Sequence, residues 1–329
     1  MPELIIIVGF MMAAYAIIAN DSIQTLGTFL YSNDKRPWWV LCAFTSAILT
    51  IVVLGGWYVN GGASGMGGDP SWGRLDKFPS HAVDGLTWVY LIPPLALLIL
   101  TRFGFPVSTS FLVLITFSPG ALDAMMIKSG MGYLVAFLVA MIGYGLVFKK
   151  ISRHFVETAD SAVPPRWYVY QWCSTALLWA NWLMQDVANI FVYFPGSRET
   201  IPFNWVVLGV IWMIVVQIFI YANKGGSIQQ VVRSKSNTHD IRGATLVDLI
   251  YAIILYIFKN LSNVPMSTTW VFIGLLAGRE LAIALTTRNR SIPEVRGLIL
   301  KDAGKVFVGL AVSVAIAVAL RTDQFFGAE

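Results

Sequence analysis

The stretch YAIIANDSIQTLGTF, residues 15–29, sets the problem that this sequence poses. A run of apolar residues, on its way through a membrane by length and composition, is interrupted by Asn20 and Asp21. A second stretch, NWLMQDVANIFVYF at 181–194, repeats the interruption with Gln185 and Asp186. A charged carboxylate at the centre of a bilayer costs about 2.5–3.5 kcal/mol on insertion scales. The nearest basic residues in sequence, Lys35 and Arg198, each lie beyond the end of the apolar segment, so no local ion pair offsets that cost. Two remedies remain. A cation would be welcome, because carboxylate, amide and hydroxyl oxygens are the ligands that hard cations prefer. A proton on the carboxylate would also serve, because burial disfavours the charged form.

The rest of the chain fits a membrane setting. Of 329 residues, 57% are hydrophobic and 12% charged, with a mean hydropathy of +0.68. A soluble domain carries about a quarter charged residues. Ten apolar segments follow one another: 4–31, 38–59, 86–101, 106–117, 131–148, 168–195, 201–222, 245–258, 265–285 and 303–320. About 20 such residues cross a bilayer core as a helix. The sequence therefore predicts an all-α polytopic membrane protein with no separable soluble domain. The start, MPELIIIVGF, lacks a basic n-region and a cleavage site, so it reads as a first span and not as a removable leader.

If all ten segments cross with both termini outside, the inner connections hold 15 of the 23 lysines and arginines. That bias is the positive-inside rule. It accounts for the net charge of +5 and the pI near 9.2 without a nucleic-acid partner. The expected location is the inner (plasma) membrane, in contact with lipid throughout, and a homodimer stays open. Five crossings per half make the halves enter from opposite sides. The expected units are a first repeat at 1–148, a cytoplasmic linker at 149–167 and a second repeat at 168–329. Asp21 matches Asp186 at an offset of 165, and FPVSTS (105–110) matches VPMSTT (264–269) at an offset of 159. Inverted repeats of this kind place their ligand near the midplane, where broken helices meet. Segments 106–117 and 265–285 read either as crossings or as re-entrant hairpins.

The chemistry concentrates in two constellations. Asn20-Asp21-x-x-Gln24 and Gln185-Asp186-x-x-Asn189 each bring two amides and a carboxylate to one locality, since residues three and four apart share a helix face. These six are the expected cation ligands, with Na+ at Asp21 and Asp186 as one reading and H+ as the other. Oxygen ligands without a histidine inside the spans favour Na+. The second constellation is Pro106-Val107-Ser108-Thr109-Ser110 with Pro265-Met266-Ser267-Thr268-Thr269. Proline suits a first helical turn, hydroxyl side chains cap it, and the free N–H groups attract an anion. Ser108, Thr109, Ser110, Ser267, Thr268 and Thr269 are thus the expected oxyanion contacts, beside Asp21 and Asp186. An anion next to two carboxylates is repelled unless a cation lies between them, which is the physical basis of symport.

Other features carry less. His81, His154 and His239 lie in connections without metal-ligand spacing. Arg279 and Glu280 are adjacent and expected on different helix faces. GGASGMGGD at 61–69 follows no strand and reads as a flexible external loop. Cys42 and Cys173 are expected as small membrane-buried side chains and not as a disulfide framework. No Ser-His-Asp grouping or other catalytic set lies within the spans, so an enzyme is not expected, and neither is a tightly bound cofactor.

The paired motifs resemble the inorganic phosphate transporter family, whose signatures G-A-N-D-x-x-N and P-V-S-T-T occur once in each of two inverted repeats. ANDSIQTLGT and QDVANIF resemble the first signature, and PVSTS and PMSTT the second. The stretch KGGSIQQVVRSKSNTHDIRGATLVDLI, which leads to NVPMSTT, also resembles the family. The resemblance implies cation-coupled symport of inorganic phosphate, with substrate contacts from the hydroxyl residues and with Asn20 and Asn189 in the cation sites. Gln24, Gln185 and Ser110 replace family residues while keeping an amide or hydroxyl. Sulfate or another oxyanion is the alternative cargo, and a passive anion channel the alternative mode.

Overall fold

The computed structural model describes residues 2–65, 67–75, 87–103, 107–118, 122–147, 154–155, 158, 163–194, 200–223, 240–261, 266–287 and 291–326. Pro106, Pro265, His81, His239 and most of the linker lie outside these, as does the side chain of Gln24. Ten helices of ten residues or more account for most of the described chain. They are α1 (Pro2–Ile17), α2 (Ile23–Ser32), α3 (Trp38–Val59), α4 (Ile92–Arg102), α5 (Leu122–Ile142), α6 (Arg166–Asp186), α7 (Phe203–Ala222), α8 (Ile241–Leu261), α9 (Thr268–Thr287) and α10 (Ile292–Phe326). The protein is an all-α polytopic membrane protein.

Among the described residues, six helical stretches are long and apolar enough to cross a membrane: Leu4–Asp21, Trp38–Val59, Leu122–Leu146, Phe203–Ala222, Ile241–Leu261 and Thr268–Thr286. Helix α7 shows why such helices need lipid. Leu208, Ile211, Val215 and Phe219 recur every three or four residues and stay 46–57% exposed. Its buried side instead carries Gln217, whose Oε1 accepts hydrogen bonds from Ser46 at 2.9 Å and Thr45 at 3.5 Å on α3. The polar contact faces the protein and the apolar stripe faces outward, the inverse of a soluble surface helix.

Several boundaries differ from the hydropathy reading. Segment 4–31 is divided by a π-turn at Ile18–Ser22, where a break near Asn20 is expected. Segment 106–117 is only a short helical piece, Ser110–Phe117, about 12 Å long and unable to cross alone. Segment 265–285, by contrast, is the continuous 20-residue α9, so a re-entrant hairpin does not describe it. Segment 303–320 is the middle of the 35-residue α10.

Two helix pairs dominate the packing. Helices α5 and α9 touch backbone to backbone. A Cβ on Gly274 would lie 2.3 Å from the Tyr133 carbonyl oxygen, and one on Gly278 only 2.1 Å from that of Phe137. Gly274 and Gly278 form the small-x-x-x-small spacing that lets membrane helices approach closely. Helix α8 lies along α6, and its Asp248, fully buried, accepts hydroxyl hydrogen bonds from Thr28 on α2 and from Thr175 on α6, the latter at 2.6 Å. One carboxylate thus joins three helices. At the cytoplasm-facing connection predicted by charge, Arg242 pairs with Asp240 at 2.6 Å and donates to Thr158 Oγ1 at 2.7 Å and the Phe155 carbonyl at 3.0 Å.

The structure also places two smaller features of the sequence. Arg279 and Glu280 do pair, at 3.0 Å, because their long side chains reach around the helix despite being adjacent. Cys42 is buried within the protein, and Cys173 is exposed on α6.

Candidate functional site

Both interrupted helices deliver their acids to one buried place. Asp21 sits in the π-turn between α1 and α2, where one extra residue per turn widens the helix and re-aims side chains. Asp186 is the last residue of α6, before a turn at Val187 and a short helical turn, Ala188–Phe191. Asp21 and Asp186 are 2% and 1% exposed and lie within electrostatic reach of each other.

The residues from the two S-T motifs come between the acids. Thr109 donates its hydroxyl to Asp21 Oδ2 at 2.6 Å and accepts from Asn189 Nδ2 at 3.0 Å. Ser110 donates to Asp186 Oδ1 at 3.2 Å, and Asn189 reaches the same carboxylate oxygen at 3.0 Å. The three-residue spacing of Asp186 and Asn189 therefore gives the shared face expected for a helical turn. Asn20 donates to Asp21 Oδ1 at 2.6 Å and to the Val107 carbonyl at 2.8 Å. Thr268 lies beside Asp186, and its carbonyl accepts from Tyr251 at 2.9 Å.

The contacts of the two motifs repeat each other. Thr269 donates to the Val107 carbonyl at 3.3 Å, and Ser110, its counterpart, reaches the Met266 carbonyl at 3.4 Å. The Ser108 hydroxyl accepts from the Phe111 N–H at 3.3 Å, and the Ser267 hydroxyl accepts from the Trp270 N–H at 3.2 Å. Every pair is related by the offset of 159 read from the sequence. Ser108 and Ser267 therefore act as helix caps, whereas Thr109 and Ser110 turn toward the carboxylates.

Not every expected ligand points inward. Gln185 donates to the Leu255 carbonyl at 2.9 Å, and its oxygen accepts from Arg74 at 3.4 Å, so its amide is engaged away from Asp186. Among the described residues, two oxygens at the centre, Asp186 Oδ2 and Asn189 Oδ1, have no hydrogen-bond partner, although both are buried. A hard cation is the occupant that such a pair of acceptors suits.

Sequence reasoning missed Arg74, Asp248 and Tyr251. Arg74 belongs to the connection after α3, where a basic residue is normally solvated, yet it is 1% exposed. Burial lowers its pKa to about 10, with Asp186 opposing that shift, so the guanidinium stays charged at neutral pH. Residues 67–75, which include Arg74, are well organised and not a free loop. Gly68 pairs with Ile201, and the Asp69 carboxylate accepts from the N–H groups of Ser71 at 2.6 Å and Gly73 at 2.9 Å. Trp72 takes a positive φ of 60°, rare for a bulky residue. It fits against Gly56, where a Cβ would stand 2.6 Å from its indole nitrogen. The signal in the sequence is Asp69-x-Ser71, the spacing of a side chain that organises its own turn.

Neither a protein-family model nor a curated protein matches this sequence. Among solved structures, the chain is similar to "The sodium-dependent phosphate transporter". The match has a TM-score of 0.61 at 16% identity and covers 97% of this chain and 96% of that one. The two share a fold. At this identity the likeness speaks for architecture over nearly the whole length of both chains and leaves the chemistry to the residues.

Proposed function

We propose that the chain is a secondary active transporter that carries inorganic phosphate, or a closely similar oxyanion, together with Na+. One observation carries this reading. Two buried carboxylates, Asp21 and Asp186, are delivered by two interrupted helices to a single locus lined by hydroxyl and amide groups. Acids placed inside a membrane protein mark ion pathways. The partnerless Asp186 Oδ2 and Asn189 Oδ1 supply part of a cation's oxygen shell. A cation held there offsets the repulsion that an incoming anion would otherwise meet, so each ligand improves the binding of the other. The sodium-dependent phosphate transporter that shares this fold supports both the cargo and the choice of Na+ over H+.

The same reading places the protein in the plasma membrane as two inverted repeats, 1–148 and 168–329, joined by a cytoplasmic linker, with both termini outside. The reciprocal contacts of the two S-T motifs support that symmetry. The substrate contacts are assigned to Thr109, Ser110, Thr268 and Thr269, and the cation contacts to Asn20, Asp21, Asp186 and Asn189. Uptake of radiolabelled phosphate into proteoliposomes, with and without an inward Na+ gradient, tests the proposal. The gradient should drive accumulation above equilibrium, and Asp21→Asn and Asp186→Asn should each abolish it in folded protein. Uptake that only equilibrates would point to a channel, and preference for sulfate in competition would change the cargo.

A further inference from the structure

We propose that Arg74 forms, with Lys128 beside it, a docking site for the tetrahedral oxyanion next to Asp186, on the side closed by the 67–75 segment. The inference rests on the oxyanion reading and adds a cationic residue that the motifs do not contain. Arg74 is 1% exposed, and among the described residues only Nη2 of its guanidinium nitrogens has a hydrogen-bond partner, Gln185 Oε1 at a long 3.4 Å. Nε and Nη1 are buried and have none. A buried guanidinium with two free N–H-bearing nitrogens is unsatisfied by the protein itself, and such groups are normally paired. The planar fork of donors matches two oxygens of a phosphate or sulfate.

The surroundings select an anion. Arg74 lies within electrostatic reach of Asp186, of Lys128 on α5, which is 9% exposed, and of Lys259 on α8. Lys259 is further held with its ammonium 5.6 Å from the Trp72 ring centroid. Arg74 faces Asp186 directly, while Lys128 and the half-buried Lys259 gather about Arg74, so basic side chains cluster on the far side of that one carboxylate, where an oxyanion would be held. Like charges do not collect in a buried place without a counter-ion to hold them. The scaffold is rigid as well. Asp69 fastens Ser71 and Gly73 on the near side of Arg74, and Trp72 donates to the Val52 carbonyl at 3.0 Å. Arg74 is thus positioned before any ligand arrives, which reduces the entropy lost on binding.

The test uses the full-length protein, both in proteoliposomes and solubilised in detergent, with inorganic phosphate as the probe. Arg74→Gln should raise the phosphate KM for uptake, and the Kd of the solubilised protein, by about tenfold to a hundredfold, the loss expected for a hydrogen-bonded charge pair. With phosphate held well above each variant's KM, so that the coupling between the two ligands is already satisfied, the Na+ concentration for half-maximal uptake should stay within about threefold, because Arg74 contacts the anion and not the cation. Arg74→Lys, which keeps the charge and loses the fork, should fall between wild type and Arg74→Gln, and it carries the test should the glutamine variant not fold. A phosphate KM unchanged in either folded variant overturns the site and leaves symport standing. Phosphate binding by solubilised wild type that Arg74→Gln loses, in a protein that accumulates nothing, sustains the site and overturns symport instead.

Discussion

Replacing Gly278 by alanine tests the packing on which the architecture depends, and it does so independently of any transport assay. The new Cβ would lie 2.1 Å from the Phe137 carbonyl oxygen and 2.9 Å from its carbon, both backbone atoms that no rotamer change can move. A carbon–oxygen contact needs about 3.3 Å, so α5 and α9 must separate locally by roughly 1 Å. A gap of that size forfeits a quarter to a half of the dispersion energy of the contacts it opens, and overpacking a close interface costs about 1–3 kcal/mol. Helix propensity works the other way, since alanine improves on glycine by about 0.8–1.0 kcal/mol. Gly297 on α10 supplies the control, because a Cβ there meets nothing within 4 Å. Gly297→Ala should therefore be neutral or stabilising by up to about 1 kcal/mol, and Gly278→Ala destabilising by up to about 2 kcal/mol net, which leaves it about 1–3 kcal/mol below Gly297→Ala. Reversible SDS denaturation followed by circular dichroism would measure both. Equal stabilities for the two variants would refute the claim that glycine lets these helices meet.

Three further outcomes follow from the contacts described. Thr109→Val removes the side chain that bonds both Asp21 and Asn189. The rate of Na+-driven phosphate uptake should fall about tenfold or more, the worth of one hydrogen bond to a charged group, while Thr109→Ser stays within about threefold of wild type. Asp248→Ala leaves the Thr28 and Thr175 hydroxyls without their acceptor and unpins α2, α6 and α8 from one another. It should lower unfolding stability by roughly 3 kcal/mol, measured in the same SDS titration. Arg242→Ala frees Phe155 and Thr158 from α8, so limited proteolysis should cut within 149–167 about tenfold faster than in wild type.

The parts of the site legible in the sequence share one property: each occurs twice. Asp21 and Asp186 stood out because acids in apolar segments are costly, and the two S-T motifs because their spacing repeats. Asp248 obeys the same rule as Asp21, lying inside the apolar segment 245–258, and that rule alone was enough to find it. What hid it is the lack of a partner at the repeat offset. Arg74 was hidden for a different reason. Hydropathy places a basic residue between spans in water, whereas its burial comes from a fold that brings it against Gln185, 111 positions away. Span boundaries were blurred by α6, which buries Gln171, Ser174, Thr175, Asn181 and Gln185 against its neighbours and so reads as less apolar than its setting. Segment lengths also misled, since apolar runs of similar character became an 8-residue piece at Ser110–Phe117 and a 35-residue helix at Ile292–Phe326.

The π-turn at Ile18–Ser22 has a consequence for how the first acid is aimed. Each residue of an ordinary helix advances the angle by about 100°, so the one surplus residue in this turn acts as a phase shift between α1 and α2. The outer wall of α1 and the carboxylate of Asp21 are clocked separately, yet the peptide groups stay bonded to one another across the hydrocarbon. Excising a single residue here would restore the regular winding and swing Asp21 away from Thr109 by about that same angle. The acid's bearing is thus written in chain length as much as in side-chain identity.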